Sequence, residues 1–202
     1  MTPPIEILAR RLVDDLQDAG ASFALVGGLA IGARTGPRFT RDVDLAISVA
    51  SDHKAEQVLG HLIQRGYRPQ AEINQDRAGR LATMRLIAPF DTGADPEEGN
   101  PIADIICATC GIEPEIVAAA TPVTIAPDLT VPTARIPHLI AMKVLSESDE
   151  RLQDRLDLQA LLAASTEEDR SAVPPLLDLI AQRGYHRGKD LRATLAAFHH
   201  ER

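Results

Sequence analysis

Apolar residues recur every three to four positions through Ile5, Leu8, Leu12 and Leu16, while Arg10, Asp14 and Asp15 fall on the other side and Gly20 closes the run. That period predicts an amphipathic helix at the start of the chain. Residues 22–26 form a short apolar run ending at Gly27-Gly28, which predicts a buried strand, a tight glycine turn and then a helical turn over 29–34. A loop carrying Gly36 and Pro37 follows. From Asp42 to Ile47 polar and apolar positions then alternate with period two. Alternation of this kind makes a half-buried strand, with Asp42 and Asp44 on one face and Val43, Leu45 and Ile47 turned to the core.

Ser51 is placed to cap a helix through Val58, Leu59, Leu62 and Ile63, with Gly66 as its stop. Strands are expected over 67–68 and 81–87, joined through a turn at 75–79, and residues 89–101 read as a mobile acidic loop. The next apolar run, 102–107, predicts a buried strand with one charged residue inside it, Asp104. A short helix over 113–120 and strands over 123–126 and 129–131 complete this part. Beyond Ile136 the pattern is helical almost throughout, over 139–146, 152–163, 176–182 and 191–198. The fold class is therefore α/β, of the α+β kind, with a helical C-terminal region and a boundary near Thr133.

Composition narrows the function. Hydrophobic residues make up 45% and aromatic residues 3%, with no Trp, so the core is aliphatic and base-stacking platforms are scarce. Twenty-one Lys and Arg against 29 Asp and Glu give a formal charge of −8, the opposite of a protein that grips nucleic acid by neutralising many phosphates. Only a small basic patch fits that balance. Neither a leader-like apolar run nor a stretch of ~20 apolar residues occurs, so a soluble, cytoplasmic protein without a membrane partner is expected. Cys107 and Cys110 spell half a zinc site or a redox pair, but with no second Cys or His pair nearby the plain reading, two buried cysteines, is stronger.

The chemistry concentrates in Asp42, Asp44 and Asp104. Carboxylates gathered on adjacent strands repel one another and need a cation to offset them. Mg²⁺ suits such hard oxygen ligands, taking one or two carboxylates and completing its shell with water and substrate phosphates. An Asp-x-Asp by itself is common on solvated strand faces. Here it follows Val26-Gly27-Gly28 and a loop holding Arg34, Arg38 and Arg41, and a later strand carries the embedded Asp104.

Val26-Gly27-Gly28 with Asp42-Val43-Asp44-Leu45 resembles the motif of the DNA polymerase beta-like nucleotidyltransferase superfamily, and the stretch from Leu25 to Leu45 looks most like the AbiEii-type toxins within it. The resemblance implies a mixed sheet flanked by helices, with residues 1–133 as the catalytic domain and 134–202 as a helical region packing on it. It implies two Mg²⁺ ions on Asp42, Asp44 and Asp104, the last of which serves as metal ligand, as acceptor of a hydroxyl proton, or as both. Gly27 and Gly28 would let backbone N–H groups approach the NTP phosphates, with Arg38, Thr40, Arg41 and Lys143 as further phosphate contacts. For each arginine the plainer reading, a solvated surface residue, stands beside the functional one. Asp154 and Asp157, one helical turn apart, share a face that would hold Lys143 or an arginine.

The implied reaction is NMP transfer from NTP to an acceptor hydroxyl with release of pyrophosphate. The acceptor is a tRNA end, a protein or a small molecule, and a toxin of this type has an antitoxin partner. Aminoglycoside adenylylation is the second reading, because an acidic surface, including the acids over 91–98, suits a cationic drug. A non-catalytic nucleotide-binding module of the same fold is the third.

Overall fold

Leu8, Leu12 and Leu16 are all fully buried beneath α1 (Pro4–Asp18), as the helical spacing requires. The protein is seen here as a computed structural model that describes residues 4–75, 80–89, 101–148 and 152–200. The turn expected over 75–79 and the acidic loop over 89–101 lie largely outside the described residues.

After α1 come β1 (Phe23–Val26), α2 (Gly27–Thr35), β2 (Asp42–Ile47), α3 (Asp52–Gln64), β3 (Arg68–Gln75), β4 (Arg80–Ile87), β5 (Ile102–Ile106) and α4 (Glu113–Ala119). The hairpin β6 (Thr121–Ala126) and β7 (Leu129–Thr133) follows, then α5 (Ile136–Ser146), α6 (Leu152–Ala164), α7 (Glu167–Gln182) and α8 (Leu191–His200). The strands form one mixed seven-stranded sheet in the order β3-β4-β5-β2-β1-β7-β6. β2 runs parallel to β5 and β1 parallel to β7, whereas β1 and β2 are antiparallel. Every residue of β1 is buried, and so are Leu45, Ala46 and Ile47 of β2, where α1, α2 and α4 pack against these strands.

Several boundaries differ from the sequence pattern. The glycine pair is the first turn of α2 rather than a turn ahead of it. β3 runs for 8 residues where two were expected, since ladder pairing with β4 carries a polar, Pro-containing stretch into the sheet against its local preference. α7 begins at Glu167, nine residues earlier than Pro174-Pro175 suggest: a capping box between Thr166 and Asp169 starts it, and buried Val173, Leu177 and Ile180 hold it through the prolines. Ser51 caps α3 by accepting from the Lys54 N–H, as read from the sequence. Among the described residues no helix is long and apolar enough to cross a membrane.

Three packing relations position the site. α2 lies over β1 and β2 and meets α5 and α6, while α7 and α8 pack on α5. The carboxyl-proximal helices are thereby brought to the end of the sheet where β1 turns into α2.

Candidate active site

Parallel pairing of β2 with β5 sets Asp44 directly opposite Asp104, and Asp42 opposite Ile102. Because side chains alternate along a strand, Asp42, Asp44 and Asp104 share one face. On its other side Asp44 pairs with Val26, the last residue of β1, so the chain enters α2 right beside this carboxylate. Gly27 adopts φ 61°, and a Cβ built there would fall 1.9 Å from Asp44 Oδ2. Only glycine permits both the conformation and the approach. The Gly28 backbone N–H donates to the Asp44 carboxylate, using one of the free donors at the helix start. A Cβ on Gly28 would in turn lie 2.7 Å from Thr40 Oγ1, so Thr40 packs on bare backbone.

Burial pushes the Asp44 carboxyl up to about 7, with the neighbouring Asp104 and Asp42 charges adding to it and the Gly28 N–H and Lys143 opposing. Asp42 is also raised, chiefly by burial; Arg85 opposes that shift and Asp104 adds to it. Arg85 was not singled out in the sequence. It lies on β4 directly across from Asp104 and grips it with both arms of its guanidinium, Nε to Oδ1 at 2.9 Å and Nη2 to Oδ2 at 2.7 Å. The signal was there: a lone charge within the otherwise apolar Met84-Arg85-Leu86-Ile87, the same anomaly that marks Asp104 in β5.

The facing wall comes from the C-terminal helices. Lys143 of α5 bridges two acids of α6, with Nζ 2.5 Å from Asp154 Oδ1 and 2.8 Å from Asp157 Oδ2. Arg38 reaches the same Asp157 oxygen at 2.6 Å. The three loop-region arginines therefore part company. Arg34 is spent on structure, donating to the carbonyls of Ala134 and Thr133 and to the Thr121 hydroxyl. Arg38 lines the cavity, whereas Arg41 is exposed outside its wall with its guanidinium 5.5 Å from the centre of the Phe39 ring. Phe39 itself is 80% exposed.

These groups enclose a cavity of about 400 Å³. Gly27, Gly28, Thr40, the three aspartates and Arg85 form one side, Arg38, Lys143 and Asp154 another, and Ile106, Leu139, Met142 and Leu145 an apolar flank. Cys107 and Cys110 are both buried and form no disulfide, and Cys110 lines the cavity. The turn holding Cys110 is organised by buried Glu113, which accepts from the Thr109 and Cys110 N–H groups at 2.6 and 2.7 Å, and burial with the adjacent Glu113 raises the Cys110 thiol far above its ordinary range.

Among the described residues no three acidic, histidine or cysteine side chains converge tightly enough to make a ready cation site. The donor set nevertheless suits a hard divalent ion. All donors are carboxylate oxygens, and burial with two like charges disfavours the ionised form of Asp44, a penalty that a bound cation would relieve.

A family model described as nucleotidyl transferase AbiEii toxin, type IV TA system, matches residues 7–202. Among solved structures, the chain is similar to the antibiotic-resistance factor ANT(2″)-Ia, with TM-score 0.56 and 18% identity over 97% of each chain. A second structure of that factor, in complex with adenylyl-2″-tobramycin, aligns with TM-score 0.55 and 16% identity over 88% of this chain and 97% of the other. An antigenic nucleotidyltransferase-like protein from Paracoccidioides brasiliensis aligns with TM-score 0.53 and 17% identity, over 96% of this chain and 93% of that one. At such identities the structural likeness establishes the fold alone. No curated protein matches by sequence.

Proposed function

The chain belongs to the AbiEii nucleotidyltransferase family, and from that premise we propose that it is a magnesium-dependent enzyme carrying an NMP group from NTP to an acceptor hydroxyl. The observation that carries the reading is the seating of Asp44: its carboxylate rests on the Gly27-Gly28 backbone at the start of α2, opposite Asp104 and beside Asp42. Helix-start N–H groups attract phosphate, and here they open α2 right beside the acids.

In this reading Asp42, Asp44 and Asp104 hold the cation. Bound there, Mg²⁺ would supply charge neutralisation at the attacking and leaving oxygens of an in-line displacement. The chain's own residues do the positioning. Gly27 and Gly28 cradle phosphate, Thr40 sits against the same backbone, and Arg38 and Lys143 present positive charge from the facing wall, fixed by Asp157. The acceptor oxygen forms a bond to the α-phosphorus as the bond to the β-phosphate bridging oxygen breaks, and pyrophosphate leaves. Asp104, once released by Arg85, would take the hydroxyl proton. The apolar flank of Leu139, Met142 and Leu145 suits the nucleoside. In this division residues 1–133 supply the three aspartates, the glycine turn and Arg38, and residues 134–202 supply Lys143 and the acids of α6 that hold both cations.

The acceptor is read as an RNA end, with tRNA as the leading substrate, and the role as the cytoplasmic toxin of a toxin–antitoxin pair. Phe39 and Arg41 favour it: an exposed ring beside a cation, flanked in sequence by two cavity residues, fits base stacking and a phosphate. The formal charge of −8 and the fold shared with an antibiotic-resistance factor seen in complex with adenylyl-2″-tobramycin favour the second reading, a cationic drug. Incubation with Mg²⁺ and each labelled NTP, alone, with total tRNA and with aminoglycosides, tests this. Label on tRNA is expected; label on the drug selects the second reading, and no transfer with any acceptor would leave only a nucleotide-binding module.

A further inference from the structure

Arg85 is the cation already present at the acidic cluster. Its guanidinium forms a two-armed pair with Asp104, at 2.9 and 2.7 Å, and the charges of Asp42 and Asp44 add to the pull that strengthens its hold on a proton. Both oxygens of Asp104 face this fork. A dication ligated by the same carboxylate would meet the guanidinium at close range, and like charges that share one small anion repel. Either the fork opens or the ion binds weakly.

The two partners are not equally fixed. The Asp104 side chain is 12% exposed and the Arg85 side chain 38% exposed, and both line the cavity. Arginine is long, and its planar fork fits phosphate as well as carboxylate. Of the other cations lining the cavity, Arg38 and Lys143 are tied to acids of α6 and Arg187 donates to the Thr109 carbonyl, whereas Arg85 is paired, among the described residues, with the group a metal would claim.

We propose that Arg85 is a positioning residue: it serves as the resident counter-ion of Asp104, is displaced when cation and nucleotide enter together, and then pairs with the triphosphate. The inference rests on the metal-dependent reading given above. It makes cation and nucleotide binding cooperative, because the ion that claims Asp104 releases a guanidinium that the polyphosphate can use. A cation without nucleotide must displace Arg85 with no compensating partner for it.

Binding of Mn²⁺ to the full chain, followed by the paramagnetic signal of the free ion, tests this without any turnover. Titrations are run with and without an NTP analogue bearing a methylene bridge between its α and β phosphorus atoms. In wild type the analogue should tighten Mn²⁺ strongly. In Arg85→Met, Mn²⁺ alone should bind about tenfold tighter than in wild type, the scale of outer-shell effects on metal affinity, and the tightening by the analogue should shrink by a similar factor. Arg85→Lys should fall between the two. Arg85→Gln provides a second neutral variant, with thermal melts confirming that each folds. Equal Mn²⁺ affinity of wild type and both neutral variants in the absence of nucleotide would overturn the role of Arg85 alone. Absence of Mn²⁺ binding in every protein, with and without the analogue, would overturn the metal-dependent reading along with it.

Discussion

The carboxylate of Asp44 occupies the space where a side chain at Gly27 would begin: a Cβ there would sit 1.9 Å from Oδ2 and 2.5 Å from Cγ. The turn and the acid are therefore one structural unit. Gly27 also holds φ 61°, a conformation that costs other residues roughly 1–2 kcal/mol. Gly27→Ala should displace Asp44, lowering kcat/KM for NMP transfer by more than about 100-fold, the cost of misplacing a reacting group by an ångström. Circular-dichroism melts should show a Tm lower by several degrees. Unchanged activity would mean that Asp44 is not where the chemistry occurs.

Asp44 also gives the protein a pH-dependent stability with a definite sign. Its folded carboxyl titrates at about 7, above the unfolded range near 4, so the folded state binds this proton more tightly. The resulting stability is complete below about pH 4 and is lost as pH rises through about 7. Asp44→Asn has no charge to bury. In EDTA its melting temperature should match wild type near pH 4 and exceed it at pH 8, by roughly 1–3 kcal/mol after solvent screening, which is about 2–10 °C for a chain of this size. Transfer activity should vanish in the same variant. A constant difference across that pH range would show that another group carries the titration.

Arg34 and Arg38 lie four residues apart and should separate cleanly. Arg34 joins α2 to the β6–β7 hairpin through three hydrogen bonds, so Arg34→Ala should lower stability by about 2 kcal/mol while leaving the KM for NTP near wild type in the folded fraction. Arg38→Ala should do the reverse at the kinetic level, raising the KM for NTP about tenfold. Denaturant melts and steady-state kinetics on the two variants check both statements.

Phe39 has almost no folded-state role at 80% exposure. Phe39→Ala should leave the Tm and the KM for NTP unchanged and raise the KM for an RNA acceptor about tenfold or more, since base–aromatic stacking contributes ~1–3 kcal/mol. A variant with unaltered RNA kinetics would point away from stacking and toward the small-molecule acceptor.

Much of the site was legible because its motif is local. Gly27-Gly28 and Asp42-Val43-Asp44 are separated by a short span, and period-two alternation alone places both acids on one strand face. Asp104 was legible for a different reason, as a single charge in an apolar strand. Arg85 is the same kind of anomaly in β4, and it passed unremarked because its meaning depends on a partner 19 residues away in the chain. Boundaries failed where nonlocal forces dominate: β3 is long because β4 pairs with it, and α7 crosses two prolines because a capping box and a buried face outweigh their cost.

By itself the sequence determined the identity and order of the chemical groups: an amphipathic first helix, a glycine turn, paired acids on a strand, a third acid on a later strand and a helical C-terminal region. Local periodicity and backbone stereochemistry suffice for that, since each depends on residues within a turn or a strand. Only the tertiary structure decided which groups meet. It set Asp44 against Asp104, spent Arg34 on the hairpin, tied Arg38 and Lys143 to Asp157, and gave Asp104 to Arg85. Pairing between distant charges is fixed by sheet register and helix packing, and a charge shows the chain nothing of its partner until the fold brings them together.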